Sequence, residues 1–197
     1  YGYDELPVTI PKTSDVAGIS KIESLRKLAK DTLIAMGFYE FQTYSFVSPK
    51  AVDKIRIPED SDKRKFVKLI NPLGEETSVM RTVILPNVLS CLSTNYNRKT
   101  AAVRAFELGN TFINDGTGEG GILPKEKDSL CIACYGEGED FFTLKGSVEE
   151  MLSKLGIKDA EFKAENNSSF QPGRCAVISK DGQRIGIIGQ VHPEVAD

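Results

Sequence analysis

Residues 70–109 constrain the fold more than any other stretch of the chain. Asn71-Pro72 and Leu73-Gly74 are turn-forming pairs, because proline fixes φ and glycine accepts φ > 0, so the chain must reverse there. Beyond the turn, Ser78 to Thr82 reads as extended. Pro86 can then sit at the first helical position, where its missing N–H costs nothing. Leu85, Val88, Leu89, Leu92 and Tyr96 recur at helical spacing and form one apolar stripe, with Asn95, Asn97 and Arg98 near its end. Val103 to Leu108 alternates as a strand does and is closed by Gly109-Asn110. A polar strand-helix-strand unit of this kind suits a cleft wall or an ordinary α+β core.

The flanking segments extend the same pattern. Residues 1–17 read as an extended entry segment, with Pro7 and Pro11 excluding a helix, and 18–197 as the folded module. Ser20 and Glu23 form a capping box for a helix whose apolar face is Ile22, Leu25, Leu28, Ala29, Leu33 and Met36, ended by Gly37. Phe38 to Phe46 is aromatic-rich and reads as a strand. A short helix from Ser48-Pro49 to about Ile55, a charged loop and a strand Phe66 to Ile70 complete the approach to the central stretch.

On the far side, Asp115 to Asp128 carries several glycines among charges and is expected as a hairpin loop. Those glycines do not lead into Gly-Lys-Ser/Thr and a helix, so they are no phosphate cradle. A strand Leu130 to Gly136, a helix Phe141 to Leu155, a strand Ala160 to Ala164 and a polar loop Asn166 to Gly173 follow. Arg174 to Ser179 and Arg184 to Val191 flank Asp181-Gly182, the preferred pair for a type I′ hairpin. The order predicts an α+β fold with a central antiparallel sheet flanked by helices.

Charge narrows the function classes. The formal net charge is −3, whereas a free-standing nucleic-acid binder usually presents a basic face and a high pI. The run Asp62-Lys63-Arg64-Lys65 is read as a solvated loop. No stretch approaches the roughly 20 apolar residues that span a bilayer, so no membrane partner is expected. Cys131 and Cys134 sit i, i+3 in an apolar strand-like run and therefore point to opposite faces, which disfavours a shared metal ion. Cys91 and Cys175 are read with them as reduced thiols.

The blocks Asn71-Pro72-Leu73, Met80-Arg81-Thr82, Leu85-Pro86, Asn95-Tyr96-Asn97-Arg98 and Phe106-Glu107-Leu108-Gly109 resemble the beta subunit of phenylalanyl-tRNA synthetase, in its synthetase-like core. Tyr1-Gly2-Tyr3-Asp4-Glu5-Leu6-Pro7, Met36-Gly37-Phe38-Tyr39-Glu40 and Tyr44-Ser45-Phe46 extend the likeness upstream. Phe142 to Glu149, Pro172-Gly173-Arg174 and Gly186 to Pro193 extend it downstream, although Gln171 stands where the family more often has His. The resemblance implies a class II aminoacyl-tRNA synthetase-like fold, with Ile22 to Phe46 building a subunit interface. It also implies a catalytic alpha subunit as partner, an (αβ)2 assembly charging a phenylalanine tRNA, and a cytoplasmic setting. An editing module upstream and an anticodon-contacting domain downstream are expected of the full subunit.

Active class II relatives stabilise the α-phosphate with fixed arginines, and such preorganised charge is usually the largest catalytic contribution. Aligned on the family, the position of the first such arginine is Ile113, and the late glycine-rich segment with the second is absent. The resemblance therefore implies an inactive module with no catalytic, cofactor or metal residue of its own, ATP and Mg2+ being used by the full complex. Arg81, Asn95, Arg98, Glu107, Arg174 and His192 are left as interface or structural candidates. Two alternatives compete: a stand-alone adenylate-forming ligase, which needs Arg104 or Arg174 in a deep pocket beside Glu107, and a tRNA-binding module built on Lys63, Arg64, Lys65 and Lys68.

Overall fold

The computed structural model describes residues 2–10, 12, 18–116 and 123–196. The first helix, α1 (Lys21–Ala35), is capped by Ser20, whose side chain accepts from the Glu23 N–H at 3.2 Å. Only that half of the expected capping box forms, because the Glu23 carboxylate turns instead to Arg26. Gly37 ends the helix with φ 84°, a conformation that costs glycine no Cβ clash.

The aromatic segment is split rather than continuous, giving β1 (Tyr39–Glu40) and β2 (Phe46–Val47). Between them Thr43 turns its backbone N–H and hydroxyl toward the Glu107 carboxylate, so it leaves the ladder. The short helix α2 (Ala51–Lys54) lies where the sequence puts it. The expected strand Phe66 to Ile70 is reduced to a single bridge, Lys68 to Val79, beside β3 (Val79–Met80). Gly74 is extended, with φ 177°, and the reversal is made by a single 3-10 turn at Glu75–Thr77.

Helix α3 (Leu85–Asn97) carries Pro86 in its first turn. The next strand, β4 (Val103–Ile113), runs through Gly109-Asn110 instead of stopping there, and it pairs along its whole length with β5 (Lys125–Tyr135). The hairpin loop is correspondingly shorter than 115–128, and its residues 117–122 lie outside those described. Helix α4 (Phe141–Lys154) opens on a full capping box between Asp140 and Thr143. Then come β6 (Glu161–Ala164), β7 (Phe170–Lys180), β8 (Gln183–Val191) and the last turn, α5 (Pro193–Ala196). Strand β7 starts inside the expected polar loop, and Pro172-Gly173 is absorbed where the register shifts, with Gly173 at φ 76°. Asp181 and Gly182 have φ 50° and 77°, the two positive values of a type I′ turn.

The strands form separate sheets, β1-β4-β5, β2-β3 and β6-β7-β8, in place of one central antiparallel sheet, and β1 runs parallel to β4. Helix α4 packs into the core that the two three-stranded sheets share. Phe106 of β4 packs with Leu33, Val148, Met151, Ala176, Ile178 and Ile188, so one core joins α1, α4 and both larger sheets. The alternate residue Ala105 faces the other way, against Val88 and Leu92 of α3. Strand β4 is therefore covered on both faces, by α1 and α4 on one and by α3 on the other.

Candidate functional site

The period of two along β4 assigns its polar residues to sides: Glu107 shares the α3 face with Ala105, and Arg104 shares the opposite face with Phe106. Glu107 meets Arg81, which enters from the segment between β3 and α3. Arg81 Nη1 donates to Glu107 Oε1 at 2.6 Å and to Thr43 Oγ1 at 3.0 Å, and Nε donates to the Asn110 carbonyl at 2.9 Å. Thr43 Oγ1 donates in turn to Glu107 Oε2 at 2.8 Å. The two side chains are 3% and 4% exposed, so the pair is desolvated and depends on these bonds for compensation. A Cβ on Gly109 would fall on Arg81 Nη2, which explains a glycine inside a paired strand.

The other sequence candidates are scattered. Asn95 folds back onto its own helix, Nδ2 donating to the Cys91 carbonyl at 2.8 Å. Arg98 caps α3 at the exposed end and makes no ion pair among the described residues. Arg174 is exposed on β7, its Nη1 donating to Gln190 Oε1 at 2.6 Å. His192 is fixed at the start of α5, its Nδ1 accepting from the Glu194 N–H at 3.2 Å. Only Arg81 and Glu107 come together, and Thr43 and Gly109 complete them. Thr43 is not singled out by the sequence and Gly109 reads there as closing the strand, although a glycine within an alternating run is a sign of close approach.

Arg104 is a clamp rather than a pocket residue. It donates to the Met36 carbonyl at 2.8 Å and to Ser147 Oγ at 3.1 Å, lies 3.3 Å from Glu139 Oε1 and stacks 4.3 Å over the Phe38 ring. It thus ties β4 to the end of α1 and to α4, on the face away from Glu107. Ile113 shares the Glu107 side of β4 and brings no charge there. The Arg81 guanidinium on this face is enclosed by protein acceptors.

Two members of the basic run, Arg64 and Lys65, are neutralised. Arg64 pairs with Asp53 at 2.7 Å and Lys65 with Asp62 at 2.6 Å. Cys131 and Cys134 stand on opposite faces of β5, across from Glu107 and Arg104 respectively. Burial pushes both thiols up to about 12, with the Glu107 charge adding to Cys131 and Glu139 to Cys134. The apolar stripe of α1 is buried only in its later half, at Ala29 and Leu33, whereas Ile22, Leu25 and Leu28 are exposed. Ile70 and Leu73, at the tip of the central turn, are exposed as well.

The fold is shared with pyrrolysyl-tRNA synthetase from Desulfitobacterium hafniense, at a TM-score of 0.68 and 19% identity, over 88% of this chain and 60% of that one. This makes it class II synthetase-like. In sequence the chain is 40% identical to the phenylalanine–tRNA ligase beta subunit of Clostridium acetobutylicum and 38% identical to that of Clostridium tetani. Both matches cover 100% of this chain and 25% of the relative, so the chain spans a quarter of those proteins. Residues 6–197 match the family described as the phenylalanyl tRNA synthetase beta chain CLM domain. The chain belongs to the phenylalanyl-tRNA synthetase beta chain family, over that domain.

Proposed function

We propose that this chain is a non-catalytic core module of a phenylalanine–tRNA ligase beta subunit, residues 18–197 forming the module and 1–17 the entry to it. It pairs with a catalytic alpha subunit in an (αβ)2 assembly that attaches phenylalanine to its tRNA in the cytoplasm. ATP and Mg2+ act at the alpha subunit, and tRNA is held by the whole complex. The observation that carries the reading is the enclosed Arg81–Glu107–Thr43 cluster. An active relative needs a cation open to the nucleotide phosphate, and here the buried cation on this side of β4 is committed to a carboxylate, a hydroxyl and a carbonyl. Arg104 and Arg174 stand elsewhere, which disfavours the stand-alone ligase. Arg64 and Lys65 are each paired with a carboxylate, which disfavours a tRNA-binding surface built on the run as a whole.

The exposed residues Ile22, Leu25 and Leu28 of α1 supply the face toward the alpha subunit, since an apolar stripe continuing past its own core suits a partner. Calorimetric titration tests both halves. ATP and phenylalanine, separately and together, give no binding heat with this chain, whereas purified alpha subunit binds it and Leu25→Glu weakens that binding. Saturable ATP binding by the chain overturns the inactive reading, and silence with the alpha subunit overturns the pairing.

A further inference from the structure

Lys63 and Arg184 line one cleft, whose lining includes neither the Arg81–Glu107 pair nor the α1 stripe. The cleft has a volume of about 450 Å3, with Pro58 and Ser61 on one wall and Asn166 and Asn167 on the other. Its walls are tied together. Arg64 donates from Nε to the Pro58 carbonyl at 2.9 Å and from Nη2 to the Ile57 carbonyl at 2.5 Å, bracing the first wall. Ser168 Oγ donates to the Arg56 carbonyl at 2.6 Å and Ser169 Oγ to the Ile55 carbonyl at 2.5 Å, fastening the second wall to the first. A cleft held in this way exists before any ligand arrives, which lowers the ordering cost of binding.

Its positive charge is only partly compensated. Among the described residues no carboxylate lies within 4.0 Å of the Lys63 ammonium. Although Lys63 is exposed as a residue, the partial burial of its ammonium pushes its pKa down, and the nearby Arg184 charge pushes it the same way. Arg184 Nη1 is held by both oxygens of Glu165, at 2.7 and 3.1 Å, which fixes the guanidinium and partly neutralises it. Its Nε and Nη2 have no hydrogen bond among the described residues. Asn167 Oδ1 accepts from the Ser169 N–H, leaving its amide nitrogen free as a donor.

We propose that this cleft binds a phosphate group, held between the Lys63 ammonium and the Arg184 guanidinium with the Asn166 and Asn167 amides as further donors. A phosphate dianion removes the repulsion between the two cations and offers the oxygens that their free N–H groups lack. No aromatic residue lines the cleft, so there is no platform for stacking a base, and the phosphate rather than a nucleobase is what the site recognises. The phosphate has two possible sources, a free polyanion such as pyrophosphate or the backbone of a single-stranded RNA.

Equilibrium dialysis of the chain against labelled pyrophosphate, and separately against a short homopolymeric RNA, tests the site. Saturable binding of at least one probe is expected, and Lys63→Met and Arg184→Gln should each weaken it by about tenfold or more, as befits a charge-assisted bond. Variant-sensitive binding of pyrophosphate identifies a free polyanion site, and variant-sensitive binding of RNA alone identifies a backbone contact. Lys63→Met keeps the aliphatic stem and removes a repelled charge, so its thermal midpoint should not fall, and Arg184→Gln gives an independent reading if it does. No saturable binding of either probe, or binding that either folded variant leaves unchanged, overturns the proposal.

Discussion

Two arginines lie on opposite sides of β4 and are held in different ways. Arg81 sits on the α3 face, almost wholly enclosed, with its charge matched by a carboxylate of equal burial. Arg104 sits on the α1–α4 face at 31% exposure, sharing a main-chain carbonyl, a serine, a carboxylate and an aromatic ring. The first arrangement makes each partner depend on the other, because either charge left alone would be buried without compensation. The second spreads its interactions over several elements, so no single partner is decisive. A strand with a desolvated ion pair on one face and a distributed clamp on the other is fixed from both sides.

The largest effect should come from breaking the enclosed pair. Glu107→Ala strands the Arg81 charge and should cost about 3–5 kcal/mol in denaturant unfolding, whereas Arg104→Met, which keeps the stem, should cost only about 1–2 kcal/mol. Removing both ends with Arg81→Met and Glu107→Leu together should recover much of the first loss. Equal costs for the two single variants, or no recovery in the double one, would break the contrast.

A smaller effect sharpens it. Gly109→Ala places a methyl group on the Arg81 guanidinium and should cost about 1–3 kcal/mol, by overpacking, measured in the same way. In the Glu107→Ala background Arg81 is free to swing aside, so the same methyl should cost less there. A penalty unchanged in that background would mean that the glycine serves the strand itself and not the arginine.

The smallest effects are local and are read from the two thiols of β5. Glu107→Gln should lower the pKa of Cys131 from about 12 and leave Cys134 alone, because only the former feels that charge. Arg104→Met should raise Cys134 further. Alkylation rates against pH report both. The sign for stability is opposite to that of a paired carboxylate. An unfolded thiol ionises near 9.0 and the folded ones near 12, so between these values the unfolded state binds fewer protons and stability falls as pH rises.

Local chemistry determined much of what the sequence alone could tell. The Ser20 cap, the Gly37 stop, the α4 boundaries and the Asp181-Gly182 hairpin are read from a few neighbouring residues, because caps and turns satisfy backbone groups within one or two turns of chain. The family likeness was legible too, since its motifs are contiguous blocks. What the sequence misplaced depends on partners far away. Phe38 to Phe46 breaks because Thr43 binds a carboxylate 64 residues on. Strand β4 runs through Gly109 because Arg81 occupies the space a side chain would need. The strands divide into separate sheets that share a core with α4, a grouping of segments far apart along the chain.

The candidate site divides along the same line. Arg81 and Glu107 could be named from sequence as charged residues near turns and strands, but their pairing, like the meeting of Lys63 with Arg184, joins segments distant along the chain. The sequence by itself determined the helices and the closing hairpin, because propensity, capping and periodicity act over a few residues. Only the tertiary structure decided which charges became enclosed and which apolar stripe stayed open, because burial depends on what the rest of the chain brings alongside.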